Sequence, residues 1–246
     1  MPTPQDTARL ALSCLDLTSL NDNDTPADID TLCRRANGTH GATAAVCVWP
    51  RFAAQARALL PAHIAVAAVA NFPDGSSDIE RAVRDTGEIV MAGAQEVDVV
   101  MPYRDLAAAP ALLAAVRRAC GGLRLKVILE TGELQDDALI RQAGAIALDA
   151  GADFLKTSTG KVSVNATLEA AALLLQAIRD GGHHQVGFKP AGGIRNVADA
   201  AAFIALTAEY LGAVTPQRFR IGASGLLNDI EAVLGGGTAA ANTASY

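Results

Sequence analysis

The sequence predicts an α/β protein built as a single (β/α)8 barrel, and three observations carry that expectation. Eight short apolar runs of four to eight residues are spaced along the chain, with the composition of strands buried on both faces. Segments with a 3.6-residue apolar period separate most of them. Eight such units in 246 residues match a TIM barrel in count and length. A doubly wound sheet would alternate in the same way, but no GxGxxG follows the first run.

The elements follow in order. A short N-terminal helix precedes the first run, CLDL (14–17). Thr25 and Pro26 read as N-cap and first helical residue, Asp28 follows, and Gly38 closes the segment. TAAVCVW (43–49) and IAVAAVA (64–70) are the second and third runs. From Asp78 to Ala92, Ile79, Val83, Thr86 and Val90 form one stripe, ended by Gly93. EVDVVM (96–101) and LRLKVILE (123–130) come next. From Asp136 to Ala150 the stripe is Leu139, Ala143 and Ile146, ended by Gly151. DFLKTS (153–158) and QVGFKP (185–190) are the sixth and seventh runs. Asn196 and Asp199 resemble a capping box ahead of Phe203, Leu206 and Tyr210. RFRIGA (218–223) is the eighth run. No linker-like composition interrupts the chain, so we expect one barrel domain over 1–234 and a flexible tail, GGGTAAANTASY, over 235–246.

Composition excludes several classes. A net charge of −6 without a basic run argues against a nucleic-acid partner. No apolar stretch reaches the roughly 18–20 residues of a membrane span, and the N-terminus lacks a signal-peptide pattern. Cys14, Cys33, Cys47 and Cys120 have no CxxC spacing and fit reduced thiols of a cytoplasmic protein. The four histidines make no HExxH or comparable pattern, so no metal site is expected.

The chemistry of such a barrel sits at the C-terminal ends of its strands. Polar residues recur there: Asp16, Cys47, Asn71, Asp98, Glu130, Lys156, Lys189 and Ser224. A single one reads as a satisfied strand terminus, but two lysines on adjacent apolar strands need a reason, because lysine is almost never fully buried without one. With a free pKa of about 10.4, only about one lysine in a thousand is the nucleophilic amine near pH 7.5. A second ammonium about 4 Å away costs about 4 kcal/mol at an effective dielectric of about 20, or about three pKa units. Desolvation acts in the same direction. The pair therefore suits Schiff-base catalysis, with a carboxylate such as Asp98 moving protons. The spacing leaves open which lysine is the nucleophile. KPAGGI (189–194) and GASG (222–225), Gly-rich turns after the last two runs, together with Lys161, suit a phosphate.

The motifs LDLT, AVCVWP, NFPDG, EVDVVMPYR, KVILETGEL, DFLKTSTGKV, VGFKPAGGIR and RIGASGLL, in this order, resemble the short bacterial type of the 2-deoxyribose-5-phosphate aldolase family from about residue 10 onward. The joint presence of KTSTGK and GFKPAGG is the most specific part. The resemblance implies a metal-free, cofactor-free class I aldolase of the cytoplasm, a homodimer. It would reversibly cleave 2-deoxyribose 5-phosphate to acetaldehyde and glyceraldehyde 3-phosphate in deoxyribonucleoside catabolism. It makes Lys156 the Schiff-base residue, Lys189 the neighbouring cation and proton shuttle, Asp98 its carboxylate partner and Asp16 a member of the relay. Cys47 would lie beside the pocket. Thr159, Gly160, Lys161, Gly192, Gly193, Arg195, Gly222 and Ser224 would bind substrate or phosphate. Where the family carries GASS this chain has GASG, so Gly225 lacks a hydroxyl. Trp49 and Met101 also depart from the family pattern, as packing drift. Similar aldolases end in a tyrosine after a small-residue stretch, which makes Tyr246 a candidate acid/base carried to the site by the tail.

Other readings of the lysine pair are a transaldolase or sugar-acid aldolase, a pyridoxal phosphate site, or a sugar-phosphate-binding barrel without activity. The joint presence of Lys156, Lys189 and Asp98 argues against the last.

Overall fold

In a computed structural model of the chain, which describes residues 2–236, eight parallel strands form one barrel. The strands are β1 (Leu15–Thr18), β4 (Ala45–Val48), β5 (Ala65–Ala70), β6 (Glu96–Val100), β7 (Arg124–Ile128), β8 (Phe154–Lys156), β9 (Gly187–Lys189) and β10 (Ile221–Ala223). Each pairs with its neighbour in sequence, and β10 pairs back with β1. The ring closes between β9 and β10 through single bridges, Phe188 with Phe219 and Ala191 with Gly222. A two-residue hairpin, β2 (Asn37–Gly38) and β3 (Gly41–Ala42), lies outside the barrel. Tyr246 and all of the expected tail beyond Gly236 lie outside the described residues.

The outer layer contains α1 (Pro4–Ser13), α2 (Pro26–Ala36), α3 (Pro50–Leu59), α4 (Ile79–Met91), α5 (Ala109–Cys120), the one-turn α6 (Thr131–Leu134), α7 (Asp137–Asp149), α8 (Leu168–Asp180), α9 (Val197–Leu211) and α10 (Leu226–Leu234). The start signals work as read, with one exception at α9. Thr25 caps α2 in a box with Asp28, and Asp78, Asp136 and Asn196 cap α4, α7 and α9. Asp199 turns back to the amide of Arg195 rather than to the cap residue. Gly93 and Gly151 follow α4 and α7 at positive φ, where a residue without Cβ continues the chain most easily. Among the described residues no helix is long and apolar enough to cross a membrane.

Three local expectations need correction. Helix α2 ends at Ala36, because Asn37 and Gly38 pair with Ala42 and Gly41 instead of continuing it. The buried row of α4 is Ala82, Thr86 and Ile89, while Ile79 and Val90 are 38% and 39% exposed. On α7 the row is Ile140, Ala143, Gly144, Ala147 and Leu148, and Leu139 is 41% exposed. Both helices carry more apolar residues than their barrel-facing stripe requires, and small residues at its centre allow close approach to the sheet. Large neighbours were therefore mistaken for the stripe. Ile140→Ala should cost about 2–5 kcal/mol. Leu139→Ala, by contrast, should stay within about 0.5–1 kcal/mol. Denaturant unfolding of the two variants checks the assignment.

Candidate active site

A cavity of about 540 Å³ opens at the C-terminal end of the barrel. Four neighbouring strands supply its walls through the loops that follow them: Thr18–Asn21, Thr159–Lys161, Ala191–Arg195 and Ala223–Gly225, with Lys156 and Gly222 at the strand ends. Lys156 is the lysine that lines the cavity from inside the barrel. Its register partner Lys189 is fully buried.

Inside the barrel lies a hydrogen-bonded charge network. Asp98 Oδ2 accepts from Lys156 Nζ and Lys189 Nζ, each at 2.8 Å, and Asp98 Oδ1 accepts from Lys126 Nζ at 2.6 Å. Lys189 Nζ also donates to Asp16 Oδ2 at 2.5 Å, and Lys126 Nζ lies 2.6 Å from Glu96 Oε2. Arg220 donates to Asp16 Oδ1 at 2.6 Å and to Glu96 Oε1 at 2.8 Å. Parallel register places these groups side by side, with Asp98 opposite Lys126 and Lys156 opposite Lys189.

Four buried cations, Lys126, Lys156, Lys189 and Arg220, thus face three buried carboxylates, Asp16, Glu96 and Asp98. Lys189 and Lys126 each touch at least two carboxylates, and Arg220 also spans two. Lys156 touches one, at an oxygen it shares with Lys189. Burial pushes the Lys156 ammonium below the ordinary lysine range; Asp98 opposes this and Lys189 reinforces it. Burial acts on Lys189 too, but Asp16 and Asp98 outweigh it and raise that pKa. For Asp98, burial is overcome by Lys126, Lys156 and Lys189, which hold its carboxyl well below the usual range. Glu96 is brought down to about 2, Lys126 and Arg220 overcoming its burial. In this network the proton most easily lost is on Lys156.

The other expected residues divide. Thr159, Gly160, Lys161, Gly192, Gly193, Arg195, Gly222 and Ser224 all line the cavity. Lys161 crosses its mouth, with Nζ donating to the Leu20 carbonyl at 2.7 Å. Cys47 is not on the wall: it is fully buried, with Sγ 3.8 Å from Asp98 Oδ2, and burial raises its pKa. Asp16 and Asp98 are likewise fully buried. Asn71 is occupied structurally, its amide donating to the carbonyls of Ser76 and Val100. The Gly222–Gly225 turn leads into α10, and a Cβ at Gly225 would meet no atom within 4 Å.

Sequence reading missed Lys126, Glu96 and Arg220 because it looked only at strand ends. The signal was present: Glu96 and Asp98 are two residues apart in one apolar run, and Lys126 and Arg220 each interrupt another. At a period of two, such residues point into the same interior.

A model of the DeoC/LacD family of aldolases matches residues 10–231. A deoxyribose-phosphate aldolase of Agrobacterium fabrum is 51% identical over 253 residues, covering 99% of this chain and 97% of that protein. A crystal structure of a candidate deoxyribose-phosphate aldolase from Toxoplasma gondii ME49 has a TM-score of 0.86 at 26% identity, covering 95% of this chain and 96% of that one. The deoxyribose phosphate aldolase of Aeropyrum pernix, described as a tetramer, has a TM-score of 0.76 at 26% identity, covering 95% and 93%. The charge network and the cavity above it therefore stand in an aldolase barrel, and the chain belongs to the DeoC/LacD aldolase family.

Proposed function

We propose that this enzyme reversibly cleaves 2-deoxy-D-ribose 5-phosphate to acetaldehyde and D-glyceraldehyde 3-phosphate through a Schiff base on Lys156, in deoxyribonucleoside catabolism. The observation that carries the reading is the placement of Lys156: it lines the cavity and holds its proton by the fewest carboxylate contacts in the network. In the condensation direction its neutral amine adds to the acetaldehyde carbonyl, and loss of water leaves an imine. A water held by the Lys189 ammonium takes a proton from the carbon next to the imine and passes one on to the Asp98 carboxylate, which leaves the enamine. The enamine carbon bonds to the aldehyde of glyceraldehyde 3-phosphate, and the new alkoxide takes up a proton. Hydrolysis of the resulting imine frees the sugar and restores the amine. Asp16 keeps Lys189 charged, and the Lys189 charge in turn helps keep Lys156 neutral.

The phosphate lies at the other end of the cavity, against Lys161, Arg195, Ser224 and the Gly192–Gly193 turn. The amides at the start of α10 add the positive end of a helix. A homodimer belongs to the same reading, on the strength of the family resemblance. The cysteines, all free and buried, support work in a reducing cytoplasm.

Borohydride with acetaldehyde should add one ethyl group to Lys156, and Lys156→Ala should remove activity. Peptide mass mapping that finds the label mainly on Lys161 or Lys189 contradicts the assignment. Because position 225 faces open space, Gly225→Ser should tighten binding of the phosphorylated sugar by about 0.5–1.5 kcal/mol. The unphosphorylated sugar should be unaffected, as a comparison of their binding constants will show.

A further inference from the structure

Glu130, which follows β7, makes no ion pair with the charge network among the described residues. Its backbone is left-handed, with φ 57° and ψ 57°, a conformation that costs a residue with a side chain free energy and persists only where surrounding contacts hold it. Its carboxylate is buried and hydrogen-bonded to the loop that follows β8, with the Lys156 charge also within reach. It accepts the Thr159 hydroxyl at 2.5 Å and the Thr159 amide at 3.2 Å. The same Thr159 hydroxyl accepts the Lys161 amide at 3.0 Å. A carboxylate on one strand end thus fixes a threonine on the next, and that threonine fixes the backbone of the lysine at the cavity mouth.

Two further contacts tie the same loops together. The Thr131 amide donates to the Thr157 carbonyl at 3.0 Å. Gly132 lies so close to the Val164 carbonyl that a Cβ there would collide with it. On the far side, Asn165 packs against Gly192, where an added Cβ would meet its side-chain amide carbon at 2.7 Å. The loop from Thr157 to Asn165 is therefore held between the Glu130 turn and the Gly192–Gly193 turn, and the phosphate end of the cavity is shaped from both.

We propose that Glu130 is a positioning residue for phosphate recognition: through Thr159 it sets where Lys161 and Gly160 stand, and so selects the phosphorylated sugar without touching it. This rests on the functional reading above. Glu130 acts chiefly on binding: its hydrogen bonds go to Thr159 and none goes to Lys156, whose charge reaches it only through space.

The test compares the full-length enzyme with Glu130→Ala and Glu130→Gln, using 2-deoxyribose 5-phosphate and unphosphorylated 2-deoxyribose. Glu130→Ala should raise KM for the phosphorylated sugar about tenfold while kcat stays within about twofold, the pattern of lost binding in ground and transition states alike. Turnover of the unphosphorylated sugar and borohydride trapping at Lys156 should persist. Glu130→Gln keeps an acceptor for the Thr159 amide and should recover most of the loss. It also serves should the alanine variant not fold. Amide hydrogen exchange at Thr159 and Lys161 should quicken in Glu130→Ala, and less in Glu130→Gln. Equal losses for both sugars, a fall in kcat at unchanged KM, or unchanged exchange at these amides would each overturn the proposal. A wild-type enzyme that is not trapped on Lys156 refutes the functional reading instead, and the exchange measurement still decides the role of Glu130.

Discussion

The Asp98 carboxylate, bonded by three lysine ammonium groups inside an apolar barrel, is the contact on which the rest of the site depends. An isolated charge in that interior would cost several kcal/mol. Asp98 is tolerable because Lys126 and Lys189 neutralise it, and those lysines are tolerable because Glu96 and Asp16 share them. Arg220 closes the set by joining Asp16 to Glu96. With Arg124 also paired to Glu96 at the barrel edge, positive groups outnumber the three carboxylates, and Lys156, whose single carboxylate contact is shared, is the cation held least. The lowered pKa of this lysine is thus a property of burial and the whole network and not of the Lys156–Lys189 pair alone.

The barrel is what makes such a network possible. Parallel register brings polar side chains from β1, β6, β7, β8 and β9 into one interior, while their apolar neighbours turn outward to the helices. Groups on strands are held more closely than groups on loops, which suits proton transfer among atoms less than 3 Å apart. In the proposed mechanism phosphate recognition falls to the loops above. These gain order from one another, through Lys161 to Leu20 and Thr159 to Glu130. On that reading proton chemistry sits on the strands and ligand selection on the loops.

Much of this was legible in the sequence, for physical reasons. Strands buried on both faces give apolar runs, N-caps give Thr-Pro and Asp signals, and a lysine ending an apolar run is conspicuous because its burial needs compensation. Lys156 and Lys189 were singled out in this way, the structure places both beside Asp98, and the cavity gathers most of the residues expected around a phosphate. Lys126, Glu96 and Arg220 were passed over because a charge inside a strand carries no mark of what it pairs with across the barrel. The stripes of α4 and α7 were misplaced by one position, since periodicity does not say which of two apolar rows contains residues small enough to face the sheet. Two lysines five residues apart in KTSTGK look alike on paper. The family resemblance gave them different roles, and the fold sets Lys156, which is 3% exposed beside a carboxylate, apart from Lys161 at the mouth.

The central claim is that Lys156 is the cation the network holds least. The most direct measurement is competitive acylation of lysine amines across a pH series, with the extent at each lysine read by mass spectrometry. Lys156 should become reactive below the ordinary lysine range of about 10.4, while Lys189 and Lys126 stay protonated and unreactive well above it. In Lys189→Leu the Lys156 transition should move upward, because a cation that opposes its protonation is gone. A Lys156 that titrates at the ordinary value, or a Lys189 that becomes reactive before it, would contradict the account.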